Sequence, residues 1–541
     1  SSTVAGLAAV FGSGAMTNAM AELAKSEAIL ITGSNPTVNH PIVDLYIRQA
    51  VRDHNAKLII VDPRGIELTK EADLWLRPRP GTDVAWINGL MHVIWNEGLW
   101  DKAYVEKRTE GFSELETVIA DFTPQHVERI TGIPAEDLKK AARYYATATV
   151  AAIVYAMGIT QHTSGTDNVK SLANLAMLCG NVGVEGGGVN PLRGQNNVQG
   201  ACDMAALPNV LPGYQSLSDE VAVKAFEKAW ETLLDPEPGL AVTQMWPAIT
   251  EKQIRAMYIV GENPVVSDPN SNEITSTLGS LDFLVVQDIF MTETARLADV
   301  VLPAASFAEK DGTFTNTERR IQRVRKAFEP IGRSRSDWQI ISALSTRMGY
   351  PMDYDTPEAI MDEIASLTPI YGGVSYDRLE EDGIQWPCPN RDHPGTPYLH
   401  KGTFTRGLGR FHPAGFNPAQ ELPDERYPLV FSTGRVREHY NSGSMTRRVS
   451  ELATAYPEPL LEIHPKDAET FGIRTARPVK ISSRRGEVTA RATLTTRCPE
   501  GVVFMPFHFG ESAANLLTID KLDDISKIPQ YKVCAVRIDP L

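Results

Sequence analysis

Short apolar runs alternate with helical patterns in the first part of the chain. The runs Ala28–Thr32, Lys57–Val61 and Ala151–Tyr155 predict buried strands, since such short apolar segments are typical of strands covered on both faces. Around them, Ile42–Val51 and Pro134–Ala146 place their apolar residues at helical spacing. Strands that alternate with helices predict a parallel sheet with helices on both faces.

The same order of elements starts again near residue 256. The strand predicted at Ala256–Val260 ends in Gly-Glu-Asn-Pro, as the first strand ends in Gly-Ser-Asn-Pro. The next strand, Phe283–Val286, is followed by Asp288, as Lys57–Val61 is followed by Asp62. Ligands of open α/β sheets bind beyond the carboxyl ends of strands, where an acid can accept hydrogen bonds from a ribose or a guanine. Two copies therefore predict two nucleotide-like half-sites, and a duplicated fold that keeps one site or none is the alternative.

The apolar period changes to two after residue 428, which indicates a separate, barrel-like β domain. Its strands are predicted at Leu429–Ser432, Val479–Ser483, Val488–Leu494 and Val502–Met505, with a hairpin turn at 484–486. The polar residues Arg435, His439 and Tyr440 closely follow the first of these strands. They predict a second wall for a ligand site, and a rim loop is the alternative.

Glycines and amides dominate the stretch Gly183–Met204, which contains little apolar material. This composition is typical of neither a helix nor a strand, so we expect a loop. Glycines let the backbone approach a ligand closely, and amide side chains supply hydrogen-bond donors. Arg193 lies among these amides, and a guanidinium binds a carboxylate or a phosphate through two parallel hydrogen bonds. The stretch predicts a binding loop for a polar ligand, with an ordinary surface loop as the alternative.

Composition and charge exclude several classes of protein. The 541 residues exceed the size at which a single core stops growing, so several domains are expected. The balance of 53 basic against 67 acidic residues gives a net charge of -14, which opposes binding to nucleic acid. No apolar run approaches the roughly 20 residues of a membrane helix, so direct membrane insertion is not expected. Five scattered cysteines without a C-x-x-C pair exclude a disulfide framework and favour the cytoplasm.

One basic cluster is expected to lie mostly on a solvated face of the protein. It consists of Arg319, Arg320, Arg323, Arg325 and Lys326.

Long strings of the sequence, in the same order from Ser1 to Leu541, resemble the molybdopterin oxidoreductases, and among them the catalytic subunits of formate dehydrogenases. They include GSNPTVNHP, RPGTD, GVNPLRGQNNVQGACDM, GENPVVSDPN, QDIFMTETARLADVVLPAASFAEKDGTFTNTERR and TGRVREHYNSGSMTRR. The similarity is specific because long strings match rather than one short motif. The resemblance implies two molybdopterin guanine dinucleotides that hold one molybdenum or tungsten ion.

The resemblance also assigns residues to these ligands. One dinucleotide would contact Gly33, Asn35, Asp62, Arg64, Gly81 and Asp83, and the other would contact Gly261, Asn263, Asp288 and Thr292. The barrel residues that would close over the pterins are Arg435, His439, Tyr440, Asn515 and Lys532. Arg193 would hold the carboxylate of formate beside the metal, with Gln195 near it. No residue of this chain is implied as a ligand of the metal.

The family pattern contains residues before the string that matches the first residues of this sequence. In the family, a selenocysteine or cysteine that ligates the metal and a catalytic histidine stand immediately before the string that matches SSTVAGLA. A cysteine-rich segment for an iron–sulfur cluster lies further upstream. We therefore expect this sequence to be the C-terminal part of a longer chain, without turnover by itself. His162 is a candidate for the proton transfer of the absent histidine, and a purely structural histidine is the alternative.

The function implied by the resemblance is oxidation of formate to carbon dioxide, or the reverse reaction. Electrons would pass to subunits that carry iron–sulfur clusters or flavin, or to a hydrogenase. The alternatives are another molybdopterin oxidoreductase, such as a nitrate reductase, and a cofactor-free scaffold subunit of a respiratory complex. The sequence leaves open the metal, its selenocysteine or cysteine ligand, the electron acceptor, the partner subunits and whether the protein is exported.

The predicted fold class is α/β, with two related doubly wound α/β units around a cofactor cleft and a C-terminal β-barrel domain. We expect the first dinucleotide-binding domain at residues 1–194, the second at 195–400 and the barrel at 401–541.

Overall fold

The computed structural model describes all 541 residues, and the chain forms two units. The first unit contains residues 1–192, 264–275 and 398–541, and the second contains residues 193–263 and 276–397. Each unit joins segments that are distant in the sequence. The division into three consecutive domains stays a prediction.

A five-stranded parallel sheet forms the centre of the first unit. In spatial order its strands are Leu74–Leu76, Lys57–Val61, Ala28–Thr32, Ala151–Tyr155 and Val189–Pro191. Alternate side chains enter two different cores: Leu30 and Ile59 lie in one, and Ile31 and Ile60 lie in the other. Burial on both faces explains why these strands are continuous apolar runs. The predicted parallel sheet is confirmed.

Helices cover both faces of this sheet. Val43 and Ile47 of the helix Pro41–Asp53 fill one core, and Trp86 and Leu172 from two other helices fill the opposite core. The helices that belong to this α/β part are Ser2–Phe11, Pro36–Asn39, Pro41–Asp53, Asp83–Asn96, Lys102–Arg108, Phe112–Ile119, Pro124–Thr131, Ala135–Ala146, Met157–Thr160 and Gly165–Leu178.

Six strands close a β-barrel near the C-terminus of the first unit. Around the wall they are Leu429–Gly434, Val502–Pro506, Leu460–Ile463, Glu487–Leu494, Pro478–Ser482 and Cys534–Pro540. Val488, Ala490 and Ala492 face the barrel core while the residues between them face outward, as the wall of a barrel requires. The predicted barrel is confirmed, although the apolar pattern missed the strands at 460–463 and 534–540.

The second unit contains two small sheets. Its parallel sheet has the order Val300–Pro303, Phe283–Asp288, Ala256–Val260, and its antiparallel sheet has the order Gly312–Thr315, Arg320–Val324, Ile384–Gln385. Its main helices are Val198–Asp203, Glu220–Trp230, Val242–Thr250, Asp337–Arg347 and Pro357–Leu367. Tyr258, Val260 and Phe283 of the parallel sheet remain 37%, 42% and 46% exposed, so this sheet presents apolar surface to solvent. In neither unit is a helix long and apolar enough to cross a bilayer.

The two Asn-Pro turns have the same local structure. Gly33 and Gly261 directly follow a parallel strand, and their φ angles are 54° and 63°, a region that favours glycine. Asn35 and Asn263 then stand immediately before a one-turn helix that begins with proline. The repeat in the sequence thus corresponds to a repeated local structure.

The expectation of a loop throughout Gly183–Met204 is wrong. Val189–Pro191 is the edge strand of the first sheet, and Val198–Asp203 is a helix. Backbone pairing with the neighbouring strand stabilises the first of these elements despite the glycines before it. In the second, Gln199 and Asp203 lie one turn apart and are both fully buried, which their hydrogen-bond partners permit.

Candidate active site

A cavity opens in the first unit where the parallel strands end and the barrel begins. Its empty volume, including the space that is open to solvent, is about 1240 Å³. The predicted residues that line it are Gly33, Asn35, Asp62, Arg64, Gly81, Asp83, Arg435 and Lys532. These residues come from separate segments, and the fold brings them together at the carboxyl ends of the strands. This is where ligands of open α/β sheets bind.

Two glycines let neighbouring loops meet in the cavity wall. A Cβ atom at Gly33 would lie 2.6 Å from the carbonyl carbon of Gly158, well inside van der Waals contact. The Gly158 N–H donates to the Gly33 carbonyl at 2.9 Å. Backbone rather than side chains therefore forms this part of the wall.

Ser34 Oγ, Asn35 Oδ1 and His162 Nδ1 of the cavity residues are buried polar atoms that have no hydrogen-bond partner within the protein. His162 Nε2 lies 2.8 Å from the Gly158 carbonyl, so Nε2 carries the hydrogen and Nδ1 is an acceptor. Burial lowers the pKa of His162, which keeps the ring neutral. Buried polar atoms without partners are rare, so these three fit a ligand rich in hydrogen-bonding groups, as a pterin dinucleotide is.

The barrel contributes positive charge to the cavity. Lys532 Nζ donates to the Thr433 carbonyl at 2.6 Å, and the Arg435 guanidinium lies 5.7 Å from the centre of the Phe507 ring. Burial, reinforced by the charge of Arg435, lowers the pKa of Lys532 to about 7. Burial also raises the pKa of Asp62 to about 6. These pKa shifts show that the charged groups have lost water without gaining enough compensating partners. A bound phosphate group would therefore stabilise the cations of Arg435 and Lys532.

Arg64 connects the α/β part to the barrel. Its Nε and Nη2 donate to the two carboxylate oxygens of Glu462 at 2.8 and 2.7 Å, and its guanidinium lies 3.9 Å from the centre of the Phe504 ring. Burial alone would raise the pKa of Glu462, but the Arg64 guanidinium holds it below its ordinary value. Arg64 lines the cavity, yet its hydrogen bonds to Glu462 give it a clear role in docking the barrel.

Asp83 and Gly81 lie where the helix Asp83–Asn96 begins. Asp83 Oδ1 accepts a hydrogen bond from Trp86 Nε1 at 3.2 Å, and Asp83 Oδ2 lies 3.7 Å from His162 Nε2. Burial raises the pKa of Asp83. Gly81 has a φ of 80°, which lets the chain turn into the helix.

Two other predicted barrel contacts, His439 and Tyr440, are not among the residues that line this cavity. His439 is buried, with Nε2 2.7 Å from the Tyr456 carbonyl and Nδ1 3.3 Å from Thr446 Oγ1. Tyr440 is 38% exposed. Their role in cofactor binding stays a prediction.

Asn515, the remaining barrel contact, also lies outside the cavity lining. Its Nδ2 donates to the carbonyls of Val266 and Ser267 at 3.1 and 2.8 Å, while its buried Oδ1 has no partner within the protein. Asn515 therefore holds the short helix Pro264–Ser267 within the first unit. Its contact with a pterin stays a prediction.

The predicted contacts for the other dinucleotide lie in the second unit. Asn263 Nδ2 donates to Glu293 at 2.8 Å, and Asn263 Oδ1 accepts from the Thr294 hydroxyl at 2.8 Å. Asp288 and Thr292 each accept a hydrogen bond, at 3.1 Å, from a backbone N–H two or three residues further on. These side chains fix the turns that follow two neighbouring strands. Whether they bind a dinucleotide stays a prediction.

Arg193 is the first residue of the second unit. Its Nε and Nη2 lie 3.3 and 3.2 Å from Gln199 Oε1, and its backbone N–H donates to Thr317 Oγ1 at 3.0 Å. These contacts orient the guanidinium that the resemblance assigns to formate. Gln195 follows two residues later and is partly exposed.

Sequence reasoning missed several residues of the cavity wall, among them Ser34, Arg79, Cys498 and Phe507. Ser34 had a usable signal, because it lies between two predicted contacts in the same turn. The other three carry no pattern that separates them from ordinary loop or strand residues. No group of three or more His, Cys, Asp or Glu side chains is arranged to hold a metal ion.

Two family models match the sequence. The molybdopterin oxidoreductase model covers residues 4–347, and the molybdopterin dinucleotide binding domain model covers residues 429–535. The chain belongs to the molybdopterin oxidoreductase family. The predicted family is therefore confirmed, and with it a molybdopterin cofactor.

Formate dehydrogenases of known sequence match over the whole chain. The F420-dependent formate dehydrogenase subunit alpha of Methanocaldococcus jannaschii is 50% identical over 100% of this chain and 80% of its own length. Formate dehydrogenase H of Escherichia coli is 42% identical over 100% of this chain and 76% of its own length. Members of this oxidoreductase family thus resemble the chain from end to end.

Acetylene hydratase from Pelobacter acetylenicus has a similar fold. The TM-score is 0.80 at 20% sequence identity, and the match covers 100% of this chain and 81% of that one. At this identity the likeness concerns the fold alone. It agrees with parallel α/β sheets followed by a closed barrel.

Proposed function

We propose that this chain is the catalytic subunit of a formate dehydrogenase, which oxidises formate to carbon dioxide or catalyses the reverse reaction. The observation that carries the proposal is the 50% identity, over the whole chain, with a formate dehydrogenase alpha subunit. The sequence loop that contains Arg193 lies within this match.

Arg193 is the proposed substrate-binding residue. Formate is a one-carbon carboxylate, so its orientation depends on its charge and its two oxygens. A guanidinium binds both oxygens through parallel hydrogen bonds. Gln199 and Thr317 hold the side chain and the backbone of Arg193, so little freedom remains to be lost when formate binds. Gln195 is proposed as a further contact on the same loop.

The proposed cofactor is a pair of molybdopterin guanine dinucleotides with molybdenum or tungsten. When bound, the cofactor supplies the two-electron redox chemistry of the reaction. Ser34, Asn35 and His162 would make hydrogen bonds to one dinucleotide, and Arg435 and Lys532 would stabilise its phosphates. The other dinucleotide would bind at the turns of the second unit that contain Gly261, Asn263, Asp288 and Thr292.

The proposed electron acceptors are partner subunits with iron–sulfur clusters or flavin, or a hydrogenase, reached through an iron–sulfur cluster of the enzyme. We also propose a cytoplasmic location. All five cysteines of this chain are free thiols, which a reducing compartment favours.

The test uses the cofactor-loaded holoenzyme that contains this chain. We expect Arg193→Ala to lower kcat/KM for formate by about 100-fold, because loss of a charged, paired contact costs about 3 kcal/mol. Arg193→Lys should be intermediate, since it keeps the charge but loses the fork. Steady-state dye reduction across formate concentrations measures both variants.

Arg255→Ala is the matched control, since Arg255 forms an exposed ion pair with Asp282 in the same unit. It should leave formate kinetics unchanged. Metal and pterin contents are measured in every variant. Unchanged kinetics of Arg193→Ala at full cofactor content would contradict the substrate role, and absence of formate oxidation by the wild-type holoenzyme would contradict the proposed function.

A further inference from the structure

A buried carboxylate, Asp203, lies behind Arg193 in the second unit. Asp203 is fully buried, and four donors converge on it, two from nearby residues and two from more than 160 residues further along the chain. Gln199 Nε2 and the Tyr214 hydroxyl donate to Oδ1, both at 2.8 Å. The Tyr371 hydroxyl and Trp386 Nε1 donate to Oδ2, both at 2.7 Å. Each carboxylate oxygen thus receives two hydrogen bonds.

This donor set fixes the orientation of the Gln199 amide. Its Nε2 faces Asp203 Oδ1 and the Tyr214 hydroxyl, the latter at 2.9 Å. Its Oε1 must then point the opposite way, where it meets Nε and Nη2 of Arg193. If the amide were turned around, its NH₂ group would face a guanidinium that has only donors. Asp203 therefore determines that the Gln199 amide presents its oxygen, and not its NH₂ group, to Arg193.

We propose that Asp203 and Gln199 are positioning residues that hold the Arg193 guanidinium in the orientation needed to bind formate. This inference rests on the proposed function of Arg193. The buried carboxylate orients the amide, and the amide oxygen orients the guanidinium.

Position matters here because formate is small. A larger substrate has other contacts that compensate for a displaced group, whereas formate offers one carboxylate. A guanidinium that is already held in one orientation binds formate without a further loss of side-chain rotamer freedom. The network also explains why Gln199 and Asp203, the two polar side chains of the helix Val198–Asp203, are buried, since both are needed to complete the link.

Two variants of the cofactor-loaded holoenzyme break the link at different points. Asp203→Asn replaces an acceptor with a donor beside Gln199, so the amide is expected to turn around. Gln199→Met keeps the length of the side chain but removes both the NH₂ group that donates to Asp203 and the oxygen that accepts from Arg193. We expect each to lower kcat/KM for formate by about 10- to 100-fold, as loss of a supporting hydrogen bond does in other functional sites. A rise in KM should account for most of the loss.

A double-mutant cycle separates positioning from general damage. In an Arg193→Ala background, Gln199→Met and Asp203→Asn should have little further effect on kcat/KM, because they act through the Arg193 side chain. The exchange Gln199→Glu with Asp203→Asn reverses donor and acceptor but keeps an oxygen towards Arg193. This double variant should recover most of the activity that Asp203→Asn alone loses. It therefore also tests the proposal if the single variant folds poorly.

Glu363→Gln is the matched control, because the Glu363 carboxylate also binds a tryptophan and a tyrosine. Its oxygens accept from Trp230 Nε1 at 2.9 Å and the Tyr354 hydroxyl at 2.6 Å. Since neither partner contacts Arg193, formate kinetics should be unchanged. Wild-type kinetics in Asp203→Asn and Gln199→Met, or equal losses with and without Arg193, would overturn the inference.

Crystal structures of the wild-type and Gln199→Met holoenzymes give a second readout that does not depend on formate oxidation. The Arg193 side chain should leave its wild-type rotamer in the variant. An unmoved side chain would overturn the inference, even if the wild-type enzyme proved to act on another substrate.

Discussion

His508 is fully buried at the barrel, and both of its ring nitrogens have backbone partners. Its Nε2 accepts a hydrogen bond from the Val436 N–H at 3.1 Å, and its Nδ1 donates to the Asn441 carbonyl. A second ring proton would place a donor against the Val436 N–H. Burial lowers the pKa of His508 to about 4, so the folded protein strongly favours the neutral ring.

We expect this histidine to make stability fall in mild acid. Its folded-state pKa lies below the ordinary value, so its contribution is complete above about pH 6.5 and is lost as pH falls towards 4. The free energy of unfolding should fall by about 2 kcal/mol between pH 7 and pH 5 from this group alone. Thermal unfolding at both pH values measures the effect, and His508→Gln should reduce it.

His54 provides the control, since it is exposed at the end of the helix Pro41–Asp53. His54→Gln should keep the pH dependence of the wild type. If His508→Gln kept it as well, the barrel histidine would not be its cause.

The burial of Arg319 could not be predicted from the sequence. We expected the basic cluster around it to lie mostly on a solvated face, yet Arg319 is fully buried and donates to the carbonyls of Trp386, Thr396 and Pro397. Its neighbour Arg325 forms an exposed ion pair with Glu380, as expected. The two arginines look alike in the sequence, because the carbonyls that bind Arg319 come from more than 60 residues away.

The edge strand Val189–Pro191 depends on the glycine before it. Gly188 has a φ of 89°, and a Cβ atom there would lie 2.0 Å from Thr17 Oγ1 and 2.1 Å from Asn18 Oδ1. Both neighbours are buried, so neither can move away easily. A side chain at this position therefore meets both backbone strain and steric overlap.

We expect Gly188→Ala to destabilise the first unit by several kcal/mol. Gly472→Ala is the control, because Gly472 has a φ of 67° but nothing lies within 4 Å of its Cβ position. The control should cost about 1 kcal/mol, the strain of a positive φ alone. Urea unfolding of both variants, followed by tryptophan fluorescence, gives the comparison. Equal losses would show that the overlap at Gly188 is relieved by relaxation.

On the scale of the whole molecule, the pair Arg64 and Glu462 holds the barrel to the sheet of the first unit. Their side chains are 16% and 14% exposed, and the two residues are almost 400 positions apart in the chain. Breaking a buried pair leaves the remaining charge without its partner, which costs about 3–5 kcal/mol.

We therefore expect Glu462→Gln to lower the free energy of unfolding of the first unit by about 3 kcal/mol. It should also make the connecting segment 398–428 more sensitive to limited proteolysis. Glu458→Gln is the control, because Glu458 forms an ion pair with Arg491 in which the side chains are 44% and 48% exposed. The control should change stability by less than about 1 kcal/mol. Similar effects of both substitutions would contradict a clamp at Glu462.

The sequence by itself determined the classes of element and their order. Continuous apolar runs predicted the strands Ala28–Thr32 and Ala151–Tyr155, and an alternating pattern predicted the strand Val488–Leu494, because burial on two faces and burial on one face give different sequence patterns. The repeated Asn-Pro turns and the family resemblance could also be recognised from the sequence, because each consists of consecutive residues. The polar stretch Gly183–Met204 was misread because the partners that bury it are remote.

Only the tertiary structure decided which of the predicted residues share a site. It placed Asn35, Asp62 and Lys532 in one cavity, and it kept His439 out of that cavity's lining. It also placed Tyr371 and Trp386 on Asp203, although more than 160 residues separate them in the chain. The physical reason is that hydrogen bonds and desolvation depend on distances of a few ångströms between atoms, which no local pattern of residues records.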